Sequence, residues 1–481
     1  MILSPETLLG KIRVDFESLV GRVQQSAAEH QRIDRMERDL LAELLAMGFQ
    51  LLQLFIATQG TGDVGPTVET ADQSWKRLEN LHSLRYVSIF GELEITRTVY
   101  GTRETQKIEA VPLDAQLGLP AGDFSYVLED WLQRMCIHDA YRESVRGLAD
   151  LLGLSVSVRS AEAMNQTLAE HAEAFRSHQA PPDPSAEGQL LVVTADGKGV
   201  VMRREDQPEQ AASPPPGKKG TKRMAYVGAV YSIDRFVRTA DDVLDELQRK
   251  RRAVDRPVPQ QKHVWAEMTH ILEGEACDGR VTLFGQMSEE LAARNPSQRK
   301  SVVCVMDGER ALWEVKESWV PDAVGVLDLF HATERLWAAA HVFHPRESRE
   351  ARWFVDQRLR MLLEGQVGYV IGGLRQMLTK RRLSAADRKT LSAAVGYYEN
   401  NRQHMKYDEY LAAGYPIGSG VAEGTCRHLV KDRMERTGMR WRRTSAQAML
   451  HLRAIYLNGD WDAFIECRIQ REQEELYCQA A

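Results

Sequence analysis

Length and composition indicate a folded protein of several domains, because 481 residues exceed what one compact domain usually holds, and about two to four domains are expected. Hydrophobic residues make up 43% of the chain and charged residues 27%, which excludes a chain too polar to form cores. The net charge of −6 does not indicate nucleic-acid binding, although acidic helices can mask local basic patches.

The N-terminal region, residues 1–120, is predicted to be helical with a β-hairpin. Residues 1–58 are typical of helix, because apolar residues recur every three or four positions; they include Ile33, Met36, Leu40, Leu44, Met47, Leu51 and Leu54. Such a helix packs either on its own chain or on a second copy, and the pattern leaves both open. Alternating apolar and polar residues about Gly91 then predict a hairpin over 85–104.

A helix-turn-helix-like segment is predicted in the second region, residues 121–180. Within 141–171, the small residue Ala149 precedes Gly153 by four positions, which permits close helix approach before a glycine turn. The next helix is expected to begin near Ser157 and carries Arg159 close to its start, where Arg159 could contact DNA. A plain helical hairpin has the same pattern, so DNA binding is one of two interpretations.

An α/β region follows the Pro-rich linker at 179–188, which is the clearest domain boundary in the sequence. Strand patterns and helix patterns alternate in it, which predicts a sheet with helices on its faces. The expected strands are 190–195, 200–203 folded back on it across Gly197–Gly199, 225–233 continued by 236–239, 301–306 and 323–330. The expected helices are 261–274, 309–319 and 331–341, and the polar segment 204–223 is expected to be a mobile loop.

Helical patterns return after this sheet. Residues 346–413 contain no comparable strand pattern and predict a helical insertion. The turn YPIGSG at 415–420 then leads into a helix expected to run to about Glu435, followed by amphipathic helix in the tail. The predicted fold is therefore multidomain: an N-terminal α-helical region with a β-hairpin and a helix-turn-helix-like segment, then an α/β core interrupted by an all-helical insertion.

Two Asp-Gly pairs follow the most apolar strand-like runs of the α/β region. Asp196 comes after LLVVTA and Asp307 after SVVCVM. If those strands are neighbours, the two carboxylates meet at one sheet edge, where hard oxygen ligands suit divalent metal ions that act on a phosphodiester. Asp-Gly is also a common turn dipeptide, so either aspartate alone can be explained as a turn former.

A glutamate in a basic helix is the third candidate ligand. Glu423 follows the turn at 418–420 near a helix N-terminus, where a negative side chain is favourable by roughly 0.3–1 kcal/mol and can be a simple cap. Lys and Arg outnumber Asp and Glu in the segment that follows, which suits a place where metal and DNA meet. The residues predicted to contact DNA here are Arg427, Lys431, Arg433, Arg440 and Trp441, with packing as the alternative for Trp441.

Other polar residues of the region are given supporting or surface roles. Asp328 ends the third strand and is predicted to be structural or to support the metal ligands from behind. His331 begins the next helix and either approaches the phosphate or caps that helix. His263 and His270 are expected at the surface of the 261–274 helix, and the basic runs at 218–223 and 249–256 are expected to be solvated, with phosphate contact as the alternative.

Four motifs in this order resemble bacterial insertion-sequence transposases of the ISKra type. They are D-G-x-x-V from Asp196, D-G-x-x-x-L-W from Asp307, D-x-F-H-x-x-E-x-L-W from Asp328, and P-I-G-S-G-x-x-E-x-x-C-x-x-x-V-K-x-R-x-x-x-x-G-M-x-W from Pro416. The resemblance covers about residues 186–460. Two departures are visible: 76–104 lacks the cysteine pairs that related transposases often carry, and the position seven residues after Glu423 is Val430, with Lys431 one further on.

The resemblance implies an enzyme of the DDE class with a ribonuclease-H-like core. That core spans 186–341, is interrupted by an all-helical insertion at 342–413, and ends with its final helix and C-terminal helices at 414–481. The resemblance also implies Asp196, Asp307 and Glu423 as the catalytic, metal-binding triad. The implied cofactor is Mg²⁺, as two ions, with Mn²⁺ as a substitute.

The expected function is that of an insertion-sequence transposase, which binds the element ends and catalyses strand cleavage and strand transfer. The alternatives are a catalytically idle DNA-binding regulator derived from such an element, and a ribonuclease-H-like nuclease. The expected partners are double-stranded DNA, as element ends and as target, and a second copy of the chain in a homodimer or larger assembly on DNA.

Cysteine usage and the apolar segments predict a cytoplasmic protein, and the resemblance implies that it is bacterial and associated with the nucleoid. Six scattered cysteines without a C-x-x-C pair argue against a zinc module and a disulfide framework. The first residues, MILSPETLLGKIRVDFE, contain no uninterrupted apolar run of the kind that signal peptides have. The most apolar stretch, 40–57, is short for a bilayer span and contains Glu43, so no membrane role is expected.

Overall fold

The computed structural model describes residues 4–70, 73–103, 107–203, 222–248, 255–272, 275–436 and 438–477. The chain divides into two compact units, Met1–His171 with Trp461–Ala481, and Ala172–Asp460. The first unit is mostly helical and the second combines helices with a mixed sheet, as predicted. The segment expected to be a loop, 204–223, and the basic runs at 218–223 and 249–256 lie for the most part outside the described residues.

Two long helices open the N-terminal unit, α1 (Pro5–Ala28) and α2 (Ile33–Thr58). The helical prediction for this stretch is confirmed except for a break between them. At the break His30 has a φ of 56°, a left-handed conformation that a right-handed helix cannot contain. Helix α1 buries Leu8, Ile12 and Leu19, whereas no residue of α2 is buried.

Helix α2 has an exposed apolar surface. It is 26 residues long with a mean hydropathy of 1.8, and by length and composition alone it could cross a membrane. One such helix near the N-terminus is weak evidence for a membrane span. With 27% charged residues in the whole chain, the composition is that of a mostly soluble protein.

Short strands follow α2. The predicted hairpin is confirmed as β3 (His82–Ser88) and β4 (Gly91–Arg97), with Ser88 opposite Gly91. Gly91 has a φ of 146°, which glycine adopts readily and other residues do not. A separate four-stranded sheet and a short helix complete this part: β1 (Thr67–Glu69), β2 (Ser74–Arg77), β5 (Tyr100–Gly101), β6 (Ile108–Ala110) and α3 (Pro112–Leu117).

The helical pair predicted within 141–171 is present. Its helices are α5 (Tyr141–Leu152) and α6 (Val158–Glu170), which pack with α4 (Tyr126–His138). Gly153 ends α5 with a φ of 70°, and the Ser157 side chain caps α6 by accepting a hydrogen bond from the Ser160 N–H. Arg159 is exposed in the first turn of α6.

The last helix, α19 (Trp461–Tyr477), belongs to the N-terminal unit. Trp461 Nε1 donates to Asp130 Oδ1 at 2.7 Å, and Arg468 Nη1 lies 2.9 Å from Glu129 Oε2, both acceptors being in α4. The prediction had kept 414–481 together as the end of the core. The difference arises because these contacts join residues far apart in sequence, which a local pattern does not reveal.

The division between the units lies before the linker at 179–188. It falls between His171 and Ala172, because α7 (Ala172–Ser177) packs on the second unit. Arg176 in α7 donates from Nη2 to the backbone oxygen of His451 at 3.4 Å.

A five-stranded mixed sheet forms the centre of the second unit, in the order β13-β12-β7-β8-β9. Its strands are β7 (Leu190–Val201), β8 (Lys222–Ile233), β9 (Gln260–Met268), β12 (Ser301–Met306) and β13 (Val324–Leu327), and a two-stranded ribbon adds β10 (His270–Leu272) and β11 (Glu275–Cys277). Strands β7, β8 and β9 pair antiparallel, whereas β12 is parallel to β7 and β13 is parallel to β12. The strand predictions for 301–306 and 323–330 are confirmed, the second in a shorter form.

Strand β7 is continuous, which corrects the predicted hairpin within 190–203. All 12 residues pair with β8, from Leu190 opposite Ile233 to Val201 opposite Lys222. The backbone groups of the glycines are therefore satisfied by β8 rather than by a turn. Asp196 consequently lies inside a strand and not at its end.

The helix predicted over 261–274 is wrong, because this stretch contains β9. All residues from Val264 to Met268 are buried, and a strand covered on both faces lacks the alternation that would identify it. His263 lies in this strand, with its Nδ1 2.9 Å from Glu290 Oε1. It is therefore not on a helix surface.

Residues 236–239 do not continue the sheet, in contrast to the prediction. They run along the end of the helical segment instead, where Phe236 N donates to Gly414 O and Arg238 N donates to Leu411 O, at 3.0 and 3.2 Å. These bonds occupy the backbone donors that a sheet strand would have used.

Helices cover both faces of the sheet. On one face, α9 (Gly279–Arg294) and α10 (Arg310–Trp319) pack over side chains that include Val193 and Cys304. On the other, α8 (Ala240–Leu247) and α11 (Leu329–Ala340) pack over Val192 and Val303. Because both faces are covered, β7 and β12 are continuous apolar runs in the sequence.

The all-helical insertion predicted between 342 and 413 is present. It contains α12 (Arg349–Leu363), α13 (Val367–Lys380), α14 (Ala385–Asn401) and α15 (Tyr407–Ala412). The insertion shares one apolar core with the sheet. Tyr407 Oη donates to Leu327 O and Tyr410 Oη donates to Gly325 O, each at 2.9 Å, so the insertion is held to β13.

The end of the second unit returns to the sheet after the insertion. Its helices are α16 (Gly420–Thr425), a π-helical segment at Cys426–Lys431, α17 (Asp432–Met434) and α18 (Arg443–Asn458). Between α17 and α18, Trp441 N donates to Val201 O at 3.0 Å, and Arg203 N donates to Trp441 O at 2.8 Å. This pairing joins the segment to the end of β7.

Candidate active site

Three aspartates lie at one edge of the mixed sheet. Ala195 of β7 is paired with Met306 of β12, and Met306 with Leu327 of β13. The residues that follow are Asp196, Asp307 and Asp328. The strands are neighbours and run parallel, so the condition under which Asp196 and Asp307 were expected to meet is fulfilled.

The Asp307 carboxyl is partly buried and has few partners that would favour its charge. Burial raises its pKa, and the negative charges of Asp196 and Asp328 raise it further. The hydrogen bond from Glu309 N to Asp307 Oδ1, at 2.9 Å, and the nearby His331 act in the opposite direction without reversing the shift. Burial and the neighbouring negative charges therefore disfavour the ionised form of Asp307, and a cation beside it would favour that form.

Asp196 faces the C-terminal helical segment. Its Oδ1 accepts a hydrogen bond from the Gly197 N–H at 2.7 Å. The Cys426 thiol, which is buried, lies against the same carboxylate, and burial first and then Asp196 raise the pKa of that thiol. Lys198 acts in the opposite direction on Cys426.

Asp328 has a structural role in this site. It is fully buried, and its Oδ1 accepts hydrogen bonds from Phe330 N and His331 N at 2.6 and 3.1 Å, which caps α11. Its Oδ2 accepts from both the backbone N–H and the Oγ hydroxyl of Ser419. These donors occupy both oxygens, in agreement with the predicted supporting role.

Glu423 reaches the same edge of the sheet through the turn that precedes α16. Besides the Ser419 bonds, Leu329 N donates to Ile417 O at 2.9 Å, so two contacts hold the turn against the start of α11. The Glu423 side chain is exposed, and its Oε1 lies 3.9 Å from His331 Nε2. His331 therefore stands between Glu423 and Asp307, whose pKa it lowers.

The sheet edge that carries Asp196, Asp307 and Asp328 is called the carboxylate edge below. It also contains groups for which the sequence predicted no role. Burial raises the pKa of Glu309, Asp307 raises it further, and Arg280 opposes the shift. Glu309 directly follows the Asp307–Gly308 pair, so its position in the motif is the signal that was available. Cys426 stands in the motif that begins at Pro416, three residues after Glu423, whereas Tyr397 had no such signal, because only the tertiary fold places it here.

A glycine is required at position 308 because the neighbouring side chains leave no room for a Cβ atom. A Cβ on Gly308 would overlap the Tyr397 ring and lie 2.9 Å from Asn401 Nδ2. The space beside this glycine is therefore occupied by side chains of α14. At Gly197 a Cβ would meet the flexible end of Met224 at 2.7 Å, which is a less rigid neighbour.

We expect Gly308→Ala to lower the free energy of unfolding by about 1–3 kcal/mol, because the added methyl group overpacks the contact with Tyr397. The measurement is urea denaturation followed by circular dichroism. Gly372→Ala, in α13 where a Cβ meets nothing within 4 Å, is the control and should stabilise by about 0.5–1 kcal/mol. Equal stability of Gly308→Ala and the parent would contradict the packing described for Tyr397.

Two of the five residues predicted to contact DNA are buried, which corrects those predictions. Arg433 is 1% exposed and Trp441 is 5% exposed. The Arg433 guanidinium lies 4.9 Å from the Trp441 ring centroid, and Trp441 Nε1 donates to Met434 O at 3.2 Å. The packing alternative for Trp441 is thus confirmed, and Arg433 is part of the same buried contact.

The other three residues, Arg427, Lys431 and Arg440, are exposed. Arg427 and Lys431 lie in the π-helical segment directly after α16. A π-helical turn contains an additional residue, so the helix positions after it are shifted relative to a regular α-helix. Val430 is buried there and Lys431 is the residue that faces solvent.

The donor set fits hard divalent cations. No described Lys or Arg forms an ion pair with Asp196 or Asp307, and Glu309 and Glu423 add carboxylates nearby. Carboxylate oxygens are the ligands that magnesium and manganese prefer. Within the described ranges, no three His, Cys, Asp or Glu side chains are already grouped as a metal site.

Neither the models of known protein families nor the curated proteins include one that this chain resembles at a significant level.

Proposed function

We propose that this protein is an insertion-sequence transposase of the DDE class, with Asp196, Asp307 and Glu423 as its metal-binding triad. The observation that carries the proposal is the pairing of β7 with β12, which brings to one sheet edge two carboxylates that form no ion pair with any described Lys or Arg, with Glu423 held beside them through Asp328 and His331. Carboxylates delivered in this way are suited to phosphodiester chemistry with two metal ions.

The strand arrangement supports a ribonuclease-H-like assignment of the core. Three antiparallel strands are followed by two parallel strands that extend the sheet on the other side of β7, and an all-helical insertion separates them from α16. A helical insertion before the final helix of the core is what the resemblance implies. Fold likeness alone does not define an activity, so the functional argument rests on the site.

Asp196 and Asp307 would hold a metal pair between them, and Glu423 would complete the second position. When bound, such ions make a water or a 3′-hydroxyl nucleophilic and balance charge on the leaving oxygen. His331 is placed to orient Glu423, and Asp328 holds the backbone on which Glu423 depends. Exposed Arg427 and Lys431 are placed to contact the phosphates beside the cleaved bond.

The proposed partners are double-stranded DNA at the element ends and at the target. Arg159, exposed at the start of α6, is a candidate for contact with the ends. Coordinated cutting of two ends favours a homodimer or larger assembly on DNA. The proposed location is the bacterial cytoplasm, in association with the nucleoid.

The test uses DNA that carries the sequences bordering the gene, incubated with the full-length protein and Mg²⁺ or Mn²⁺. We expect strand cleavage at the element end and joining of the new 3′ end to a second DNA. Glu423→Gln should lose both activities. Glu409→Gln, an exposed glutamate in α15, is the matched control and should retain them. Equal cleavage by Glu423→Gln and the parent would overturn the triad.

The same assay separates the two alternative functions. An idle regulator would bind the end DNA and leave it uncut with either metal ion. A ribonuclease-H-like nuclease would cut without preference for the end sequence and would not join strands. The pair of unneutralised carboxylates favours an active enzyme over the regulator, because an idle protein has no need to keep them.

A further inference from the structure

A cavity of about 270 Å³ lies in the second unit, next to the carboxylate edge. Its walls include Phe236, Leu247, Phe330, Tyr415 and Ile417, so most of its surface is apolar and partly aromatic. Ligand pockets typically measure roughly 300–1,000 Å³, so this cavity suits one small ring system rather than a whole nucleotide.

The cavity and the carboxylates are built on the same two segments. Leu329 and Phe330, which line the cavity, directly follow Asp328. Gly418 and Gly420, which also line it, flank the serine that binds Asp328. On both segments, residues that line the cavity are therefore direct neighbours in sequence of residues that hold the carboxylate edge together.

Phe330 forms a solvent-exposed part of the cavity wall. Its side chain is 54% exposed although it is a large aromatic group, and it packs against Gly418, where a Cβ would lie 3.2 Å from the ring. On the opposite segment the Tyr415 ring is held by the Arg235 guanidinium, 5.3 Å from the ring centroid. An exposed aromatic face beside a fixed aromatic wall is a surface on which a flat ring can stack.

Arg238 is one of four charged residues in the lining, with Asp234, Glu246 and Arg256. Its Nε is buried and has no hydrogen-bond partner among the described residues. The guanidinium lies 5.1 Å from the centroid of the Phe236 ring, which is itself part of the cavity wall. Burial and the neighbouring Arg256 lower the pKa of Arg238, so an acceptor brought to this guanidinium would relieve an unfavourable position.

We propose that this cavity receives one unstacked nucleobase of the DNA strand bound at the carboxylates. A base has two apolar faces for Phe330 and Tyr415, and acceptor atoms on its edge for the Arg238 Nε–H. A phosphate group would meet the carboxylates of Asp234 and Glu246 in the same lining and would lose its hydration against the apolar walls. This inference rests on the proposed function, because the base comes with the DNA substrate.

The test is a comparison of the parent and Phe330→Ala on DNA in which single bases near the cut are removed one at a time. On intact DNA, loss of the aromatic contact should weaken binding roughly 5- to 150-fold, measured with Ca²⁺ to prevent cleavage. At one position, removal of the base should abolish this difference, because neither protein then has a base to stack. Arg238→Met should show the same loss at the same position.

Tyr369→Ala is the matched control, since Tyr369 is 74% exposed on α13 and does not line the cavity. It should bind every substrate as the parent does. The inference is overturned if the Phe330→Ala defect is the same whichever base is removed, while the parent still cuts and joins DNA. If the parent neither binds nor cuts the end DNA, the proposed function fails, and this inference with it.

Discussion

Replacing Asp307 by Asn is expected to reduce metal-dependent DNA cleavage by more than about a hundredfold, since loss of an outer-shell partner alone typically costs 10–100-fold and Asp307 would bind the metal directly. The Asn side chain has nearly the same shape, and its Oδ1 can still accept the hydrogen bond from Glu309 N. The change therefore removes the charge and little else. The measurement is the rate of end cleavage at saturating Mg²⁺ and Mn²⁺.

The same variant should be as stable as the parent or more stable in the absence of metal. Burial and Asp196 raise the pKa of Asp307, so its contribution to stability is present at low pH and is lost as pH rises through the raised pKa. At neutral pH the folded parent thus contains an unfavourable charge that Asn lacks. We expect the melting temperature of the parent to fall more than that of Asp307→Asn as pH rises above the ordinary aspartate pKa.

Addition of metal should reverse this order of stability between the parent and Asp307→Asn. A ligand that binds only the folded state at a hundred times its dissociation constant stabilises by about 2.7 kcal/mol, and this gain requires the intact carboxylates. Mn²⁺ should therefore raise the melting temperature of the parent and not that of Asp307→Asn. Asp322→Asn, an exposed aspartate before β13, is the control and should respond as the parent does. A purely structural aspartate would give the opposite result, with the variant less stable at every pH and metal concentration.

Asp328→Ala is expected to lower the free energy of unfolding by about 2–5 kcal/mol, because it removes a helix cap and leaves buried Ser419 donors without an acceptor. Cleavage should be lost as well, since the turn that positions Glu423 would no longer be attached to the sheet edge. The measurements are urea denaturation and end cleavage under conditions where the variant is folded.

Ser384→Ala is the matched control for this prediction. Ser384 Oγ caps α14 by accepting a hydrogen bond from Asp387 N, and it donates to Asp387 Oδ2 at 2.6 Å. Loss of this cap should cost about 0.5–2 kcal/mol without affecting cleavage. The difference between the two variants measures the contribution of the link between Asp328 and Ser419. An Asp328→Ala protein that is no less stable than Ser384→Ala would argue against that link.

Local sequence patterns predicted those strands and helices whose burial follows a regular pattern along the chain. The continuous apolar runs before Asp307 and Asp328 predicted strands, and β12 and β13 are there, because strands buried on both faces have such composition. The same physical reason explains the failure at β9. Its buried run, Val264–Met268, is followed by more apolar residues, and periodicity alone does not distinguish such a run from a buried helix.

The roles of individual polar residues were less predictable. Arg433 and Trp441 lie in a basic segment, and their sequence surroundings are those of residues exposed to DNA. Their burial depends on the pairing of Trp441 with the end of β7, more than 200 residues earlier in the chain. Asp328 resembles the other two strand-following aspartates, and only the donors from Ser419 distinguish it from a free ligand.

The sequence alone determined three features of this protein. They are the two Asp-Gly motifs, the basic segment after Glu423, and the division into a helical part and an α/β part. The physical reason is that composition and spacing decide which segments can bury a face, and which side chains stand next to them. Tertiary structure alone decided that β7 is one strand, that Asp196 and Asp307 lie side by side, and that the turn before Glu423 is held at their edge. Those features depend on hydrogen bonds between residues distant in sequence, whose formation depends on how the whole core packs.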